Sequence, residues 1–298
     1  MPSFIAPDGT RLAYHARGEG EPLLCLPGGP MRASAYLGDL GGLTRNRRLY
    51  VLDLRGTGDS ERPADPATYR CDRQVADVEA FRAHLGLDRV DLLAHSAGCD
   101  LALLWAVRHP RHVRTLTMVT GRARALGVDF TPEHRAESAV LRKAEPWFEG
   151  AHDAYTRLWA GTATEADVDT AAPFFYGRWD AAAKAHAAED ADQYNEEAAE
   201  RYAGPGAFRP DEARAVVAAW DARVLLVAGG LDGGPLPRVA EAVAELFARA
   251  DLAVLPGAGH FPWIDDPEAF RAPIAAFLDR QAGRRGDRPN DPDRGLPA

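Results

Sequence analysis

Ser96 has the most distinctive surroundings of any residue that could act as a nucleophile. It lies in the segment DLLAHSAGCDLAL, between a short apolar run that predicts a buried strand and a stretch with helical periodicity. Small residues, Ala94 and Gly98, stand two positions to either side of it. A serine at a strand-to-helix turn with small neighbours is typical of an activated nucleophile. We therefore predict a catalytic role for Ser96; the alternative is an ordinary turn.

The small neighbours have a mechanical reason. A strand that turns directly into a helix holds the turn residue in a strained conformation, and bulky side chains two positions away would collide across it. The turn lifts the serine hydroxyl above the carboxyl ends of the strands, where ligands bind in open α/β sheets. The amide of Ala97 then lies at a helix N-terminus, and we predict that it donates to a developing oxyanion.

A serine is a weak nucleophile unless a base takes its proton and an acid orients that base. Of nine histidines, His260 is the best candidate, because it lies in the loop LPGAGHFPW that follows a predicted strand. Asp232 ends the run VLLVAGGLD at the same edge of the sheet and is the predicted acid, with a plain turn aspartate as the alternative. His95 adjoins Ser96 but should point away from it, so we predict a packing or hydrogen-bonding role.

Short apolar runs predict the strands that position these residues. They cover residues 3–6 and 10–17, joined as a hairpin, and then 22–26, 48–53, 89–95, 113–119, 222–232 and 251–256. Segments of helical period lie between the later runs: residues 72–86 with Asp72 as N-cap, the stretch behind Ser96 up to Pro110, and residues 236–249 and 267–281. The pattern predicts an α/β fold, a mostly parallel sheet with helices on both faces.

Residues 122–220 have a different composition, rich in Ala, Glu, Asp and Arg with scattered aromatics. We predict a helical cap inserted into a core of residues 1–121 and 221–281. Residues 282–298 are charged and rich in Pro and Gly, which predicts a disordered tail. Aromatic residues of the cap could line a substrate pocket, although half of them are expected to pack in the cap's own core. These residues are Trp147, Phe148, Trp159, Phe174, Phe175, Tyr176 and Trp179.

Composition limits the partners. The 298 residues include 35 basic and 44 acidic side chains, and the net charge of −9 disfavours nucleic acid and anionic membranes. We expect a cytoplasmic protein, because no signal peptide or membrane-length apolar run is visible. We also expect a monomer or homodimer that acts on a small-molecule substrate. Cys25, Cys71 and Cys99 are too scattered for a disulfide framework or a metal site, and no cofactor is expected.

Together these motifs resemble the serine hydrolases of the α/β-hydrolase superfamily over about residues 3–280. The resemblance implies the α/β-hydrolase fold with a helical cap, and the order Ser96, Asp232, His260 is the one that the superfamily uses. The segment CLPGGPM at 25–31 is similar to the H-G-G-P loop that supplies the second oxyanion donor, with Pro27 in place of the histidine. Gly29 is then the implied donor, since Pro30 has no N–H; the alternative is a Gly-Pro turn without a catalytic role.

A second loop, LDLRGTGDS at 52–60, looks like the D-x-R-G-x-G-x-S loop of the superfamily. We interpret it as structural and expect Asp53 and Arg55 to form an internal pair. The two loops and the cap look most like the prolyl aminopeptidase branch, which binds a free N-terminal amine through cap carboxylates. Trp179-Asp180 stands where that branch tends to carry Trp-Glu. The acidic candidates here are Glu189, Asp190, Asp192, Glu196 and Glu197.

The turn at Ser96 lacks the G-G-S-W-G form of that branch. Acidic residues on Ala-rich helices mostly lie on a face exposed to solvent. We therefore predict an esterase, lactonase or amidase, with a prolyl aminopeptidase-like peptidase as the second hypothesis. An acyltransferase or cyclase would use the same acyl-serine, and a non-hydrolytic ligand-binding protein could keep the same fold. Epoxide hydrolases and haloalkane dehalogenases are disfavoured, because both use an aspartate where this chain has Ser96.

Overall fold

A computed structural model describes residues 1–189 and 193–282, the last two by their backbone alone. Eight strands form one sheet in the order β1-β2-β4-β3-β5-β6-β7-β8. The strands are β1 (Ser3–Ile5), β2 (Arg11–Arg17), β3 (Glu21–Leu26), β4 (Arg47–Leu52), β5 (Val90–His95), β6 (Val113–Val119), β7 (Arg223–Gly229) and β8 (Ala250–Leu255). The first two pairings, β1 with β2 and β2 with β4, are antiparallel.

All other pairings in the sheet are parallel. The central strand β5 is buried at all six of its residues, as expected for a strand that is covered on both faces. Ser96 follows β5, Asp232 follows β7 and His260 follows β8. Because the carboxyl ends of parallel strands meet at one edge, the sheet places these three residues on the same side of the molecule.

Helices cover both faces of the sheet. Those nearest the sheet on one face are α1 (Cys71–His84), α2 (Gly98–Arg108) and α9 (Pro237–Ala244), and α11 (Pro267–Ala282) packs on the other face with a turn at Ser34–Leu37. The other helices are α3 (Pro132–Leu141), α4 (Phe148–Ala160), α5 (Glu165–Ala171), α6 (Ala181–Ala188), α7 (Glu196–Tyr202), α8 (Pro210–Ala218) and α10 (Pro262–Asp265). The predicted α/β fold is confirmed.

Between β6 and β7 the described residues form six helices, α3 to α8, and no strand. We call this segment, residues 122–220, the insertion. It has a small apolar core of its own, built on Ala139, Ala154, Tyr155 and Phe174. The limits of the core and cap domains stay predictions, and residues 283–298 of the predicted tail lie outside the described part of the chain. In that part, no helix is long and apolar enough to cross a membrane.

One predicted helix start is wrong. Helix α1 begins at Cys71 with Arg70 at the N-cap, whereas we predicted Asp72 at that position. The turn Pro66–Tyr69 runs directly into the helix and carries Arg70 to the cap. Asp72 instead accepts a hydrogen bond from the Arg70 guanidinium, with Nε and Oδ1 2.6 Å apart.

Candidate active site

Ser96 sits on a strained turn between β5 and α2. Its φ is +53°, in the left-handed region that residues other than glycine rarely adopt. The space around the turn accounts for the small neighbours in the sequence. A Cβ atom on Gly98 would lie 2.4 Å from the carbonyl oxygen of Pro27, so no larger residue fits there. Ala94 is completely buried.

The imidazole of His260 lies within hydrogen-bonding distance of both other side chains singled out in the sequence, Ser96 and Asp232. Ser96 Oγ is 2.9 Å from His260 Nε2, and His260 Nδ1 is 2.9 Å from Asp232 Oδ2. Asp232 is fully buried, and its Oδ1 also accepts the amide hydrogen of Gly234 at 2.6 Å. A carboxylate held in this way can only accept, so it fixes the proton of His260 on Nδ1 and leaves Nε2 free to accept from the serine.

The backbone of His260 is held from both sides. Its amide donates to the carbonyl oxygen of Phe175 at 2.8 Å, so the insertion contacts the histidine loop directly. Its carbonyl oxygen accepts the hydroxyl of Thr120 at 2.9 Å and Nε2 of His95 at 3.0 Å. His95 therefore has the hydrogen-bonding role that the sequence predicted, and Thr120 is a contact that no sequence signal indicated.

Gly28 fits tightly against the serine. A Cβ atom on Gly28 would lie 2.8 Å from Cβ of Ser96 and 3.2 Å from the amide nitrogen of Ala97. The Gly28 amide donates to the hydroxyl of Tyr36 at 2.7 Å, so this N–H is not available to a further acceptor. The amides of Gly29 and Ala97 donate to no acceptor within residues 1–189 and 193–282. These two N–H groups are the ones predicted as oxyanion donors.

Tyr36 links the glycine loop to His95. Its hydroxyl lies 2.7 Å from His95 Nδ1 while it accepts from Gly28. Burial raises the pKa of the Tyr36 phenol, so the phenol keeps a hydrogen to donate. Burial holds the pKa of His95 well below its usual value, and the neighbouring imidazole of His260 would oppose a second positive charge there. The His260 carbonyl can only accept, so His95 carries its single proton on Nε2 and accepts from Tyr36 on Nδ1.

The predicted pair of Asp53 and Arg55 is wrong. Arg55 instead makes a bidentate contact with the buried Asp77 of α1, at 2.8 and 2.6 Å. Asp53 accepts the amide of Ser34 at 3.0 Å and that of Asp59 at 3.1 Å. Burial raises the pKa of Asp77, and the guanidinium opposes that shift. The loop is structural as expected, but it ties α1 to the sheet through a different partner.

One group of possible metal ligands occurs among the described residues, formed by His15, Asp53 and Asp59. Asp53 already accepts hydrogen bonds on both carboxylate oxygens, one of them from Ser34 and the other shared by Asp59 and His15. We assign no metal to it.

The predicted pocket aromatics divide into two sets. Phe174 is fully buried and stacks on Tyr155 at 4.2 Å, while Trp147 packs edge-on against Phe174. These residues belong to the core of the insertion. Tyr176 is also buried, and Trp179 packs on it at 5.5 Å.

Phe175 is the predicted aromatic that reaches the site. Its ring centroid lies 6.0 Å from that of His260 and 6.2 Å from that of Trp159. Phe174 and Phe175 follow one another in a 3-10 turn, so their side chains leave the chain in different directions. We retain Phe175 and Trp159 as the candidates for contact with a substrate.

The acidic candidates of the insertion face water where they are described. Glu189, Glu196 and Glu197 are exposed, and Glu197 forms an ion pair with Arg201 one turn further along α7. Asp190 and Asp192 lie outside the described residues. The three described candidates therefore do not form a buried pair of carboxylates.

Comparison with known proteins agrees with this architecture. Residues 21–267 match the family model described as the alpha/beta hydrolase fold, so the chain belongs to the α/β-hydrolase family. A similar solved structure is an esterase from Exiguobacterium antarcticum, with a TM-score of 0.70 and 20% identity over 94% of this chain and all of that one. At that identity the likeness shows the fold alone.

Among curated proteins, the chain is 27% identical over 271 residues to a proline iminopeptidase from Levilactobacillus brevis, which covers 86% of this chain and 88% of the relative. It is 34% identical over 116 residues to a proline iminopeptidase from Heyndrickxia coagulans, and 34% identical over 129 residues to a 2-hydroxymuconate semialdehyde hydrolase from Pseudomonas putida. Those two matches cover 38% and 41% of this chain, and 40% and 42% of the relatives. The resemblance to prolyl aminopeptidase-like members of the family is confirmed.

Proposed function

We propose that the chain is a serine hydrolase that cleaves a small ester, lactone or amide through an acyl-serine intermediate. One observation carries the proposal: an unbroken hydrogen-bond path from Ser96 through His260 to the buried carboxylate of Asp232. This path starts at a strained turn, where the hydroxyl projects above the carboxyl edge of the sheet. A buried acid, an oriented imidazole and a hydroxyl in this order form the arrangement that activates a serine.

In the proposed reaction, Ser96 Oγ attacks the carbonyl carbon while His260 Nε2 takes the hydroxyl proton. The negative charge moves to the carbonyl oxygen, which accepts from the amides of Ala97 and Gly29. Collapse of the tetrahedral intermediate breaks the bond to the leaving group, which takes the proton from His260. Water then attacks the acyl-serine by the same steps. Asp232 stabilises the imidazolium without taking its proton.

We further propose that the insertion roofs this site as a cap. Phe175 accepts the amide of His260, and Tyr155 donates to the carbonyl oxygen of Gly233 at 2.7 Å, beside Asp232. Phe175 and Trp159 would then contact the substrate, and their rings favour a ligand with an apolar segment. The substrate class should follow the inner surface of the insertion.

A proline iminopeptidase-like activity is the second candidate, and the match over 271 residues to the Levilactobacillus brevis enzyme favours it. Such an activity needs a carboxylate to bind the substrate ammonium, since an unpaired buried charge is costly. Glu196 and Glu197 are exposed, which favours the esterase proposal. An acyltransferase would form the same acyl-serine, and product analysis with and without an amine or alcohol acceptor would separate it from a hydrolase.

Labelling with a fluorophosphonate tests the nucleophile. We expect the probe to bond to Ser96, and the label to be lost in Ser96→Ala and in His260→Ala. Peptide mapping that places the label on Ser34, Ser60 or Ser138 would overturn the assignment.

A substrate panel tests the class. Proline p-nitroanilide, short p-nitrophenyl esters and lactones are compared by kcat/KM, and we expect the esters or lactones to be turned over faster. Faster turnover of the proline amide, lost on replacing Glu196 or Glu197, would favour the peptidase instead.

A further inference from the structure

Two arginines of the insertion lie over the same aromatic ring. The guanidinium carbon of Arg122 is 5.2 Å from the centroid of the Phe130 ring, and that of Arg135 is 5.1 Å from it. Arg135 is also 4.7 Å from the ring centroid of Trp159. Stacking on aromatic faces holds a guanidinium in place and leaves its N–H edge available to an acceptor. Both guanidinium groups therefore lie against the Phe130 ring.

The positive charge of this pair is only partly balanced by the protein. Arg122 lies 3.3 Å from Asp129, whose side chain is 43% exposed. For Arg135, no ion pair with a carboxylate is found within residues 1–189 and 193–282, and its buried Nε has no hydrogen-bond acceptor there. Burial and the neighbouring Arg124 lower the pKa of Arg122. An added anion would relieve both effects, because it would supply the missing acceptor and charge.

The chain brings Arg122 close to the serine. Gly121, the residue before it, packs so tightly on the nucleophile turn that a Cβ atom there would lie 3.2 Å from the carbonyl oxygen of Ser96. Arg122 thus extends from the carboxyl end of β6, the strand next to the one that carries Ser96.

Arg135 is connected to the histidine through two aromatic rings. Trp159, on which it stacks, lies 6.2 Å from Phe175, and Phe175 lies 6.0 Å from His260, all between ring centroids. An apolar chain that lies along these two rings would join a carbonyl at Ser96 to an anionic group at Arg135. The arginines therefore belong to the same side of the site as the substrate candidates.

We propose that Arg122 and Arg135 bind a free carboxylate of the substrate, so that the preferred substrate is a monoester or lactone of a dicarboxylic acid. The inference rests on the proposed hydrolase function and names its substrate class. A guanidinium presents paired N–H donors that match a carboxylate, which gives orientation as well as attraction. The same two cations repel an N-terminal ammonium, so the site selects against aminopeptidase substrates.

The test compares p-nitrophenyl hemiesters of dicarboxylic acids of increasing length, from glutarate to sebacate, each with the uncharged ester of the same chain length. At the chain length that reaches the arginines, we expect kcat/KM to favour the hemiester over its uncharged partner about tenfold or more, mostly through KM. Arg135→Gln and Arg122→Gln should each reduce that ratio about tenfold, whereas Arg135→Lys should restore part of it. The matched control is Arg209→Gln, which removes an exposed arginine that pairs with Glu212 and should leave the ratio unchanged.

A binding measurement keeps this test separate from the catalytic proposal. Calorimetry on the Ser96→Ala protein compares the monomethyl and dimethyl esters of the dicarboxylic acid whose hemiester has the highest kcat/KM, and we expect the monoester to bind tighter and to lose that advantage when Arg135→Gln is added. Equal binding of the two esters, or a ratio that Arg135→Gln does not change, would overturn the arginine site. Absence of Ser96-dependent ester hydrolysis would refute the proposed function instead, and the binding result would still decide the carboxylate site.

Discussion

Replacing Tyr36 with phenylalanine removes one oxygen atom from a buried contact between two loops of the site. That oxygen accepts from the amide of Gly28 and donates to Nδ1 of His95, both at 2.7 Å, and Tyr36 is only 2% exposed. Leaving two buried polar groups without partners costs about 1–3 kcal/mol each, so the free energy of unfolding should fall by about 2–6 kcal/mol. At about 2–4 °C for each kcal/mol, Tm should fall by at least about 4 °C.

The catalytic effect should be smaller than that of deleting an oxyanion donor. Losing such a donor costs about 100- to 1000-fold in kcat. In Tyr36→Phe the Gly29 amide remains and only its support through Gly28 is lost, so we expect kcat to fall about tenfold on p-nitrophenyl esters with little change in KM. Steady-state kinetics and thermal unfolding measure the two effects.

Tyr14→Phe is the matched control. It removes a phenol that contacts His84 of α1 at 3.3 Å, outside the proposed site, and should leave kcat unchanged. Two results would refute the reasoning about Tyr36. If Tyr36→Phe loses stability but keeps wild-type kcat, the hydroxyl only supports the fold. If neither Tm nor kcat changes, the contact carries no free energy.

Three further predictions concern neighbouring residues. Asp232→Asn should lower kcat by about two to four orders of magnitude in a folded protein, and wild-type turnover would mean that another group orients the base. Gly28→Ala should lower kcat at least about tenfold, because its methyl group would lie 2.8 Å from Cβ of Ser96; Gly150→Ala, with nothing within 4 Å, should not. Burial lowers the pKa of His95 in the folded protein. The contribution of neutral His95 to the free energy of unfolding is therefore complete above about pH 6.5 and is lost as the pH falls toward the folded-state pKa. His95→Asn should therefore flatten the fall of Tm between pH 7 and 5, and an unchanged slope would contradict this assignment.

Local sequence patterns were sufficient to predict the sheet. Each strand is a short apolar run bounded by turn residues, and the observed limits agree with the predicted ones to within three residues. The convergence of Ser96, Asp232 and His260 could also be predicted, because each follows a parallel strand and parallel strands end at one edge. The insertion was recognisable because β-branched runs disappear from it.

Contacts between distant residues could not be predicted. Tyr36 and His95 are separated by 59 positions, and nothing in the sequence around Tyr36 indicates its partner. The ion pair between Arg55 and Asp77 likewise depends on how α1 packs on the sheet. In the insertion, Phe174 is buried in the apolar core and Phe175 lies beside His260, because the two residues follow one another in a 3-10 turn. The periodicity of an α-helix does not predict the side-chain directions in such a turn.

Arg142 gives the insertion a further property. This buried arginine of the insertion donates to the carbonyl oxygen of Tyr176 at 2.6 Å and to that of Leu231, next to Asp232, at 3.3 Å. With the bond from Tyr155 to Gly233, side chains of the insertion hold the backbone on both sides of Asp232. A chimera that exchanges residues 122–220 with those of another family member must therefore reproduce these donors. Otherwise the exchange would move Asp232 as well as change the inner surface of the insertion, and we expect substrate range and turnover to change together.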